Sequence, residues 1–395
     1  MTSLKQADLK GKKAILRVDY NVPFRGLKIE DNERITQTLP TLKFLLNSGA
    51  AVIIISHLGR PGGKSSQKFS LEPVAKELEK LIQEKVLFTY DIVGEEAKKA
   101  ALALKPGEIL MLENLRTDPR EELNDIAFAE AISQLGDVFV QDAFANAHRQ
   151  HASMVGISKF LPAYPGLLFE KEYQFLSQLL IDPKKPFLVI VGGKKIETKL
   201  SLLKKIIEKA DIVIVGGGIA NTLIAAEGYD LGKSYYQEEF LTEAEDILRE
   251  ARDRGVEVLM PDDVVVAKTI SESAKITNKS LEEIKENDVI VDIGPQTITK
   301  YSEPIKFAGT VFWNGPMGIT EFDKFSSGTR AIAKLVSNSE TLSIVGGGDT
   351  IAAVKARSSH EHFDYITTGG GAALEFLSGE KMPAIEVLLE KGGIS

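Results

Sequence analysis

Short apolar runs recur along the chain, and each ends in glycine, proline or polar residues. A longer segment with apolar residues at helical spacing follows most of them. Runs that are apolar on both faces and alternate with helices indicate the buried strands of parallel sheets. We therefore predict α/β architecture, with strands inside 12–23, 50–63, 108–116, 137–149, 187–195, 211–221, 256–267, 289–297, 309–318, 342–350 and 364–373.

A change in composition near the middle of the chain indicates a boundary between two domains. The segment LPAYPGLL (161–168) is rich in proline and glycine, and FEKEYQFLSQLLI (169–181) has the spacing of an amphipathic helix that DPKKP (182–186) ends. A chain of 395 residues is also too long for one ordinary core. We predict two doubly wound, Rossmann-like parallel-sheet domains joined by a helix, with a cleft between them: 1–168, the connecting helix and hinge 169–186, and 187–381.

Composition and charge exclude several classes of protein. The formal net charge of -8 argues against a general nucleic-acid binder, which needs a basic face. The absence of cysteine excludes disulfides and thiol catalysis. The N-terminus lacks an apolar signal core, and no stretch approaches the roughly 18 apolar residues of a membrane span. We expect a cytoplasmic protein with neither nucleic acid nor membrane as a partner.

Polar and basic residues collect after the predicted strands of the first half. Ligands of open parallel sheets bind at the carboxyl ends of strands, and seven of the twelve arginines precede residue 150. The planar fork of arginine suits carboxylate and phosphate groups. Taken singly, each of these residues could be a turn former or a surface ion pair. Taken together, they predict a site for a small, multiply anionic substrate, formed by Asp19, Asn21, Arg34, His57, Arg60, Arg116, His148 and Arg149.

The pair His148 and His151 raises the possibility of a metal site, because residues three apart share a helical face. A zinc site needs three or four protein ligands, and no cysteine or third histidine motif accompanies the pair. We therefore expect a histidine hydrogen-bonded near an anion, with ordinary packing as the alternative for His151.

The second half collects glycines at the predicted strand ends. GGGDT (346–350) resembles a phosphate cradle but lacks the Walker lysine. Lys195 and Lys199 lie four apart at another strand-to-helix turn and can supply that charge from one face of a helix start. Asp349 beside phosphate-binding amides calls for a bridging divalent cation such as Mg²⁺. The alternative is that the glycines only permit tight turns.

Nine short motifs, in order along the chain, resemble those of the phosphoglycerate kinase family. They are RVDYNVP (17–23), DNERI (31–35), SHLGRP (56–61), ENLR (113–116), DAFANAHR (142–149), GGKKIETK (192–199), WNGPMG (313–318), GGGDT (346–350) and TGGGA (368–372). The resemblance implies reversible phosphoryl transfer from 1,3-bisphosphoglycerate to MgADP, giving 3-phosphoglycerate and MgATP in glycolysis and gluconeogenesis, with closure of the domains. It further implies a monomer, Mg²⁺ bound with ADP or ATP, and a tail of about 382–395 that packs on the N-terminal domain.

The resemblance also implies a role for each matching residue. Arg34 would reach the reacting carboxyl or acyl phosphate, Lys195 the phosphoryl group in flight, and Asp349 the Mg²⁺ through the nucleotide. The implied catalytic residues are Arg34, Lys195, Lys199, Gly348 and Gly371. The implied substrate-binding residues are Asp19, Tyr20, Asn21, Arg34, His57, Leu58, Gly59, Arg60, Arg116 and Arg149. The implied nucleotide-binding residues are Gly193, Lys195, Lys199, Gly217, Asn314, Pro316, Glu321, Gly347, Gly348, Asp349 and Thr350.

The chain departs from the family's usual pattern at a few positions, and two other functions stay open. The family usually has alanine at the position of Lys194, so the lysine in this chain adds a cation beside Lys195. A nicotinamide-dependent dehydrogenase shares tandem α/β domains, but it predicts a G-x-G-x-x-G spacing that the GGG clusters lack. A non-catalytic binding protein would be favoured by loss of a role residue, and Arg34, Lys195, Lys199 and Asp349 are all present.

Overall fold

The structure, a computed structural model, describes residues 1–26, 28–64, 66–355 and 362–392. The chain folds as two compact units. The first combines Met1–Gln174 with the C-terminal segment that begins at Lys381, and the second is Phe175–Glu380. The boundary therefore lies inside the helix Leu167–Ile181. Residues 393–395 of the predicted tail lie outside the described residues.

The first unit is built on a six-stranded sheet in which every neighbouring pair is parallel. Its strands, in spatial order, are Val86–Phe88, Ile109–Met111, Ala51–Ile55, Lys13–Arg17, Val138–Gln141 and Ala163–Pro165. A small hairpin pairs Phe24–Arg25 with Lys28–Ile29. The α-helices are Glu33–Asn47, Glu72–Ile82, Glu95–Ala103, Pro119–Glu122, Ile126–Ser133, Leu167–Ile181 and Pro383–Gly392.

The C-terminal helix Pro383–Gly392 belongs to the first unit. The Ala384 N–H at its start donates to the Ala147 carbonyl at 3.2 Å. This contact places the last described helix beside the segment that carries His148 and Arg149.

The second unit has its own six-stranded parallel sheet. In spatial order its strands are Glu257–Leu259, Ile212–Val215, Phe187–Val191, Thr310–Asn314, Leu342–Gly346 and Tyr365–Ile366, which is the 3-2-1-4-5-6 order of a Rossmann fold. The α-helices are Ile196–Ile206, Gly217–Ala226, Leu241–Arg254, Pro295–Phe307, Ser327–Ser337, Gly348–Lys355 and Gly370–Leu377. The predicted α/β class with two parallel sheets is confirmed.

Local sequence accounts for several helix boundaries. Leu241–Arg254 ends where Gly255 takes a left-handed conformation, with φ of +72°. Pro295 opens Pro295–Phe307, and the Asp263 carboxylate accepts the N–H of Thr297 in its first turn at 2.7 Å. Short helical turns complete the described chain at Leu4–Gln6, Gln67–Phe69, Leu115–Thr117, Phe144–Asn146, Ala152–Gly156, Ile157–Lys159, Glu238–Phe240, Leu281–Glu283 and Asp323–Phe325.

Parts of two runs that were predicted to form strands of a parallel sheet pair antiparallel instead. Asp263–Ala267 and Val289–Ile293 pair antiparallel with each other, and Ile276–Ser280 completes a separate three-stranded sheet. The apolar residues of these strands indicate that the strands are buried, and a small antiparallel sheet packed against the main fold buries them equally well. The strand Ala163–Pro165 was not predicted, because it lies in the proline-rich boundary segment and proline argues against a central strand. The strand lies at the edge of the sheet, where proline is tolerated.

Candidate active site

The predicted anion-binding residues meet at one edge of the first sheet. Asp19 to Asn21 follow Lys13–Arg17, and His57 to Arg60 follow Ala51–Ile55. Arg116 and Arg149 follow two other strands of the same sheet, Ile109–Met111 and Val138–Gln141. All these strands are parallel, so their carboxyl ends lie together. The strand order reverses at Lys13–Arg17, which pairs with one strand on each side. Such a reversal is the usual ligand-binding position of an open α/β sheet.

Hydrogen bonds tie the loops at this edge to one another. The Arg34 guanidinium forms an ion pair with the Asp19 carboxylate. The Asn21 N–H donates to Asp19 Oδ1 at 3.1 Å, and Asn21 Oδ1 accepts the Gly59 N–H at 2.9 Å. Arg116 Nη1 donates to the Gly59 carbonyl at 3.0 Å. Asp19 therefore orients Arg34, whereas Asn21 and Arg116 both fix the loop at Gly59, and each guanidinium has further N–H groups that can donate to a ligand.

His57 is a neutral hydrogen-bond donor in this site. Burial, together with the charges of Arg17, Arg116, Arg149 and Arg34, lowers its pKa well below the usual 6.5. Its Nδ1 accepts from Arg17 Nη2 at 3.3 Å, because a guanidinium can only donate. The ring proton therefore sits on Nε2, which is left to donate to another group.

A buried network beneath the site was not found from the sequence. Arg17 Nε donates to Ser153 Oγ at 2.9 Å, and the Ser153 N–H and Oγ donate to Glu121 at 3.0 and 2.5 Å. Arg17 and Glu121 are both almost completely buried. Burial raises the pKa of Glu121, and Arg17 opposes that rise. The available signal was an arginine inside the apolar run AILRV, since a charge at a buried strand position needs a partner.

Tyr20 and Leu58 differ from the other predicted substrate-binding residues, because both side chains are buried in the core. The Tyr20 hydroxyl lies 2.8 Å from Thr38 Oγ1, within the sheet-and-helix packing. Arg60, by contrast, is exposed, and Arg149 is half-buried. The main-chain N–H groups of the two buried residues also donate within the protein, to Ser56 Oγ at 2.9 Å and to Asn114 Oδ1 at 3.1 Å, so neither residue offers a ligand a free side chain or N–H group.

His148 and His151 lie beside the arginines. Burial and the charges of Arg149 and Arg116 lower the pKa of each imidazole to about 4. The buried Nδ1 atoms of both histidines and the Nε of Arg149 have no hydrogen-bond partner within the described chain. No group of three or more potential metal-ligating side chains occurs among the described residues. The two histidines therefore fit the expected role of polar groups near an anion better than that of metal ligands.

The second unit forms its site where its own strand order reverses, between Phe187–Val191 and Thr310–Asn314. The loops after these strands are in direct contact, and a Cβ on Gly315 would collide with the main chain of Gly192. Gly193 N–H donates to the Pro316 carbonyl at 2.8 Å, and the buried Trp313 indole donates to the Gly315 carbonyl at 2.8 Å. Glycine is needed here for close approach of two backbones, as well as for the φ of +100° at Gly315.

An open cavity of about 790 Å³ lies beside these loops. Five of the predicted nucleotide-binding residues line it, namely Gly193, Gly217, Pro316, Glu321 and Asp349. Thr350 lies behind the glycine loop, and its Oγ1 accepts the Gly315 N–H at 2.7 Å. The cavity is large enough for a nucleotide, given the usual size of small-molecule sites.

Lys195 and Lys199 share a helix start but have different surroundings. Lys195 precedes Ile196–Ile206 and is exposed, whereas Lys199 is buried and its Nζ donates to the Asn314 carbonyl at 3.3 Å. Burial lowers the pKa of Lys199 to about 7, helped by the charge of Lys195 and opposed by that of Asp349. The two lysines therefore present one solvent-exposed side chain and one buried amine with a pKa of about 7.

The glycines that open two further helices leave space in front of them. Gly348 opens Gly348–Lys355, and Gly371 lies in the first turn of Gly370–Leu377. Apart from the chain neighbours and the backbone of the helix itself, no described atom lies within 4 Å of the place where a Cβ would stand at either residue, and neither has a positive φ. Neither packing nor a positive φ requires glycine there, so both helix starts are open to close approach by another group.

Asp349 fits a divalent cation only together with a phosphate ligand. The side chain is exposed, lines the cavity and stands in the first turn of Gly348–Lys355. A single carboxylate plus nucleotide phosphates is a usual way for proteins to hold Mg²⁺.

Comparison with known proteins identifies the family. The family model of phosphoglycerate kinase matches residues 4–380. The chain belongs to the phosphoglycerate kinase family. Its activity is accordingly phosphoryl transfer between 1,3-bisphosphoglycerate and ADP, and ADP and ATP are among its substrates.

Relatives match over nearly the whole chain. A phosphoglycerate kinase of Moorella thermoacetica is 44% identical over 389 residues, covering 98% of this chain and 99% of that protein. One of Francisella tularensis subsp. novicida is 46% identical over 391 residues, covering 98% of each. The solved phosphoglycerate kinase of Coxiella burnetii superimposes with a TM-score of 0.91 at 41% identity, over 98% of this chain and 99% of that one.

Membership of the phosphoglycerate kinase family explains what the strand edges lack. Among the described residues at the two edges, no nucleophile is held by a general base, and His57 is neutral and bonded to an arginine. Among the described residues, no helix combines the length and the apolar character needed to cross a membrane.

Proposed function

We propose that the two strand edges divide the substrates of the phosphoglycerate kinase reaction between them. The edge in the first unit binds 3-phosphoglycerate or 1,3-bisphosphoglycerate, and the edge in the second unit binds MgADP or MgATP. The observation that carries this assignment is the contrast between the two edges. One is rich in arginine, and the other combines helix starts, glycines and a buried lysine around a cavity.

In the first unit, the non-transferring phosphate is held by Arg60, Arg116, Arg149 and the Nε2–H of His57. Arginine forks suit phosphate oxygens, and a neutral histidine adds a donor without further charge repulsion. Asp19 orients Arg34 through their ion pair, and Asn21 holds the loop at Gly59. The Asp19 carboxylate also repels ligands that place a negative charge beside it and favours ligands that place a hydroxyl group there.

In the second unit, the phosphates of the nucleotide face the helix starts at Gly348 and Gly371, and Lys199 supplies the charge missing from the glycine loop. Backbone N–H groups at helix starts favour anions. Glu321 lines the same cavity, which supports the proposal that its carboxylate accepts hydrogen bonds from the ribose hydroxyls. Asp349 would hold Mg²⁺ together with the phosphates of the nucleotide, and the ion would lessen the charge that those phosphates carry.

The chemical step needs positioning and charge neutralisation more than proton transfer. The carboxylate acceptor and the β-phosphate of ADP are both ionised near neutral pH, so no general base is required. Arg34 and Lys195 neutralise charge on the oxygens of the migrating phosphoryl group. Both side chains lie partly in solvent, so they are available to a ligand.

The two anchor sets belong to different compact units, and the reacting atoms must come within about 3 to 3.5 Å of each other. We therefore propose hinge closure through the segment 162–186, which contains the helix Leu167–Ile181. Small-angle scattering should show a smaller radius of gyration with both substrates bound than with either one alone. Equal dimensions at saturation would contradict the closure.

A coupled ATP-formation assay tests the assignment of roles. Lys195→Ala and Arg34→Ala should each lower kcat by about 10²- to 10³-fold, the usual loss for one transition-state charge donor. Lys204→Ala is a matched control on the same helix, because its ammonium pairs with Glu243 at 2.6 Å. Arg25→Ala, at an exposed arginine, controls for the other unit. Near-normal rates in both test variants would refute the roles.

We also infer a monomer that works in the cytoplasm and binds neither nucleic acid nor membrane. The family resemblance supports the monomer, and the supply of ADP and ATP supports the location. Light scattering of the purified chain checks the first inference, and fractionation of cells checks the second. The net charge of -8 supports the lack of nucleic-acid binding, which a filter-binding assay at low salt checks.

A further inference from the structure

We propose that Lys194 and Tyr235 form a positioning pair that builds one wall of the nucleoside part of the nucleotide site. The inference rests on the proposed binding of ADP in the second unit. Both residues line the cavity of about 790 Å³, and neither has a role in the transfer step described above. The pair consists of an ammonium group and an aromatic ring rather than two charges.

The first observation is the contact between the two side chains. Lys194 Nζ lies 4.6 Å from the centroid of the Tyr235 ring, within the range of a cation–π interaction. Both side chains are exposed, and no carboxylate pairs with Lys194 in the part of the chain that the structure describes. The ring is therefore the described partner that holds the ammonium of Lys194.

The second observation is that Tyr235 stands on a rigid support. Its ring lies so close to Gly218 that a Cβ there would be 3.3 Å from two ring carbons. Its carbonyl accepts Asn221 Nδ2–H at 2.9 Å, from the same helix, Gly217–Ala226. The main chain is thus fixed on the helix while the ring is 41% exposed, so the ammonium restrains the one part that is free to move.

The third observation is the chemistry of the cavity around the ring. Ile270, Ile290 and Phe322 line the cavity together with Tyr235, and glycines form its floor at 217 and 218. An uncharged, flat base suits an aromatic wall beside apolar side chains, whereas phosphates suit the helix starts and lysines. The Lys194–Tyr235 pair therefore faces the base and ribose, and its effect is on affinity for the nucleoside.

The test compares two probes that share the nucleoside and differ in phosphate, adenosine and ADP. Dissociation constants are measured by calorimetry or competition for the wild type, Lys194→Met, Tyr235→Leu and the double variant. Lys194→Met keeps the length of the side chain and removes its charge. Tyr235→Phe keeps the ring as the conservative variant, and Lys233→Met removes an exposed lysine close to Tyr235 in sequence that does not line the cavity.

Lys194→Met should raise Kd for adenosine and for ADP by the same factor, about two- to fivefold for an exposed cation–π contact. KM for ADP should rise by about the same factor as Kd, and kcat should change less. The effect should vanish in the Tyr235→Leu background and persist in Tyr235→Phe. Lys233→Met should leave both constants unchanged.

Three results would overturn the inference. One is an unchanged Kd for adenosine with weakened ADP binding, which would place Lys194 on the phosphates. Another is an equal effect of Lys194→Met in the Tyr235→Leu background, and the third is no change with either probe. Failure of the proposed function is separate, because the wild type would then form no ATP in the coupled assay.

Discussion

Nucleotide binding should be coupled to protonation of Lys199. The side chain is buried in the second unit, and burial lowers its pKa from 10.5 to about 7. Binding of ADP would bring phosphate charge to the ammonium and raise that pKa again. The protein should therefore take up a proton when the nucleotide binds at a pH above about 7.

The size of the uptake follows from the fraction of Lys199 that is already charged. With a pKa of about 7, roughly nine tenths of the empty protein is charged at this position at pH 6, half at pH 7 and one tenth at pH 8. If binding returns the pKa above about 9, uptake is about 0.1 proton at pH 6, 0.5 at pH 7 and 0.9 at pH 8.

Calorimetry in two buffers of different ionisation enthalpy measures this uptake directly. ADP itself also titrates, so the informative quantity is the wild type minus Lys199→Met at each pH. Lys204→Met, on the same helix and paired with Glu243, is the matched control and should behave as the wild type. A difference that stays near zero from pH 6 to pH 8 would refute the reasoning, as would a difference that shrinks with rising pH.

The same pKa predicts how stability depends on pH. The folded pKa of Lys199 is below its unfolded value, so the unfolded state binds more protons between about pH 7 and pH 10. The free energy of unfolding of the empty protein should rise with pH through that window. Lys199→Met should remove this part of the slope and stabilise the empty protein below pH 7, as urea titrations at several pH values would show.

Two further predictions concern stability of the second unit. Asp288 is buried and, although burial opposes it, hydrogen bonds from Lys268 and Lys279 at 2.9 and 2.7 Å lower its pKa. Asp288→Asn should cost about 1 to 3 kcal/mol at pH 7, and the gap to the wild type should narrow as pH falls below about 4, because the unfolded carboxylate then takes up protons while the folded one stays ionised. Gly315→Ala should destabilise by more than about 1 kcal/mol, because φ is +100° and the new Cβ meets Gly192; a melting temperature within one degree of the wild type would contradict this.

The sequence alone determined the class of fold and the family. Apolar runs predicted most strands of both parallel sheets, because burial on both faces requires apolar residues at consecutive positions, as in Ala51–Ile55 and Phe187–Val191. The motifs after those strands identified the chemistry. Gly193, Lys195 and Lys199 could be placed at a strand-to-helix turn from local spacing alone.

Tertiary structure decided the partners and the environments. Whether an apolar run pairs parallel or antiparallel depends on which strand lies beside it, and periodicity carries no information about that neighbour, as Val289–Ile293 demonstrates. Spacing put Lys195 and Lys199 on one face, but only the packing against Asn314 buried one and left the other in solvent. The titration of Lys199, the tautomer of His57 and the Lys194–Tyr235 contact all depend on groups far apart in the chain, and only folding brings such groups together.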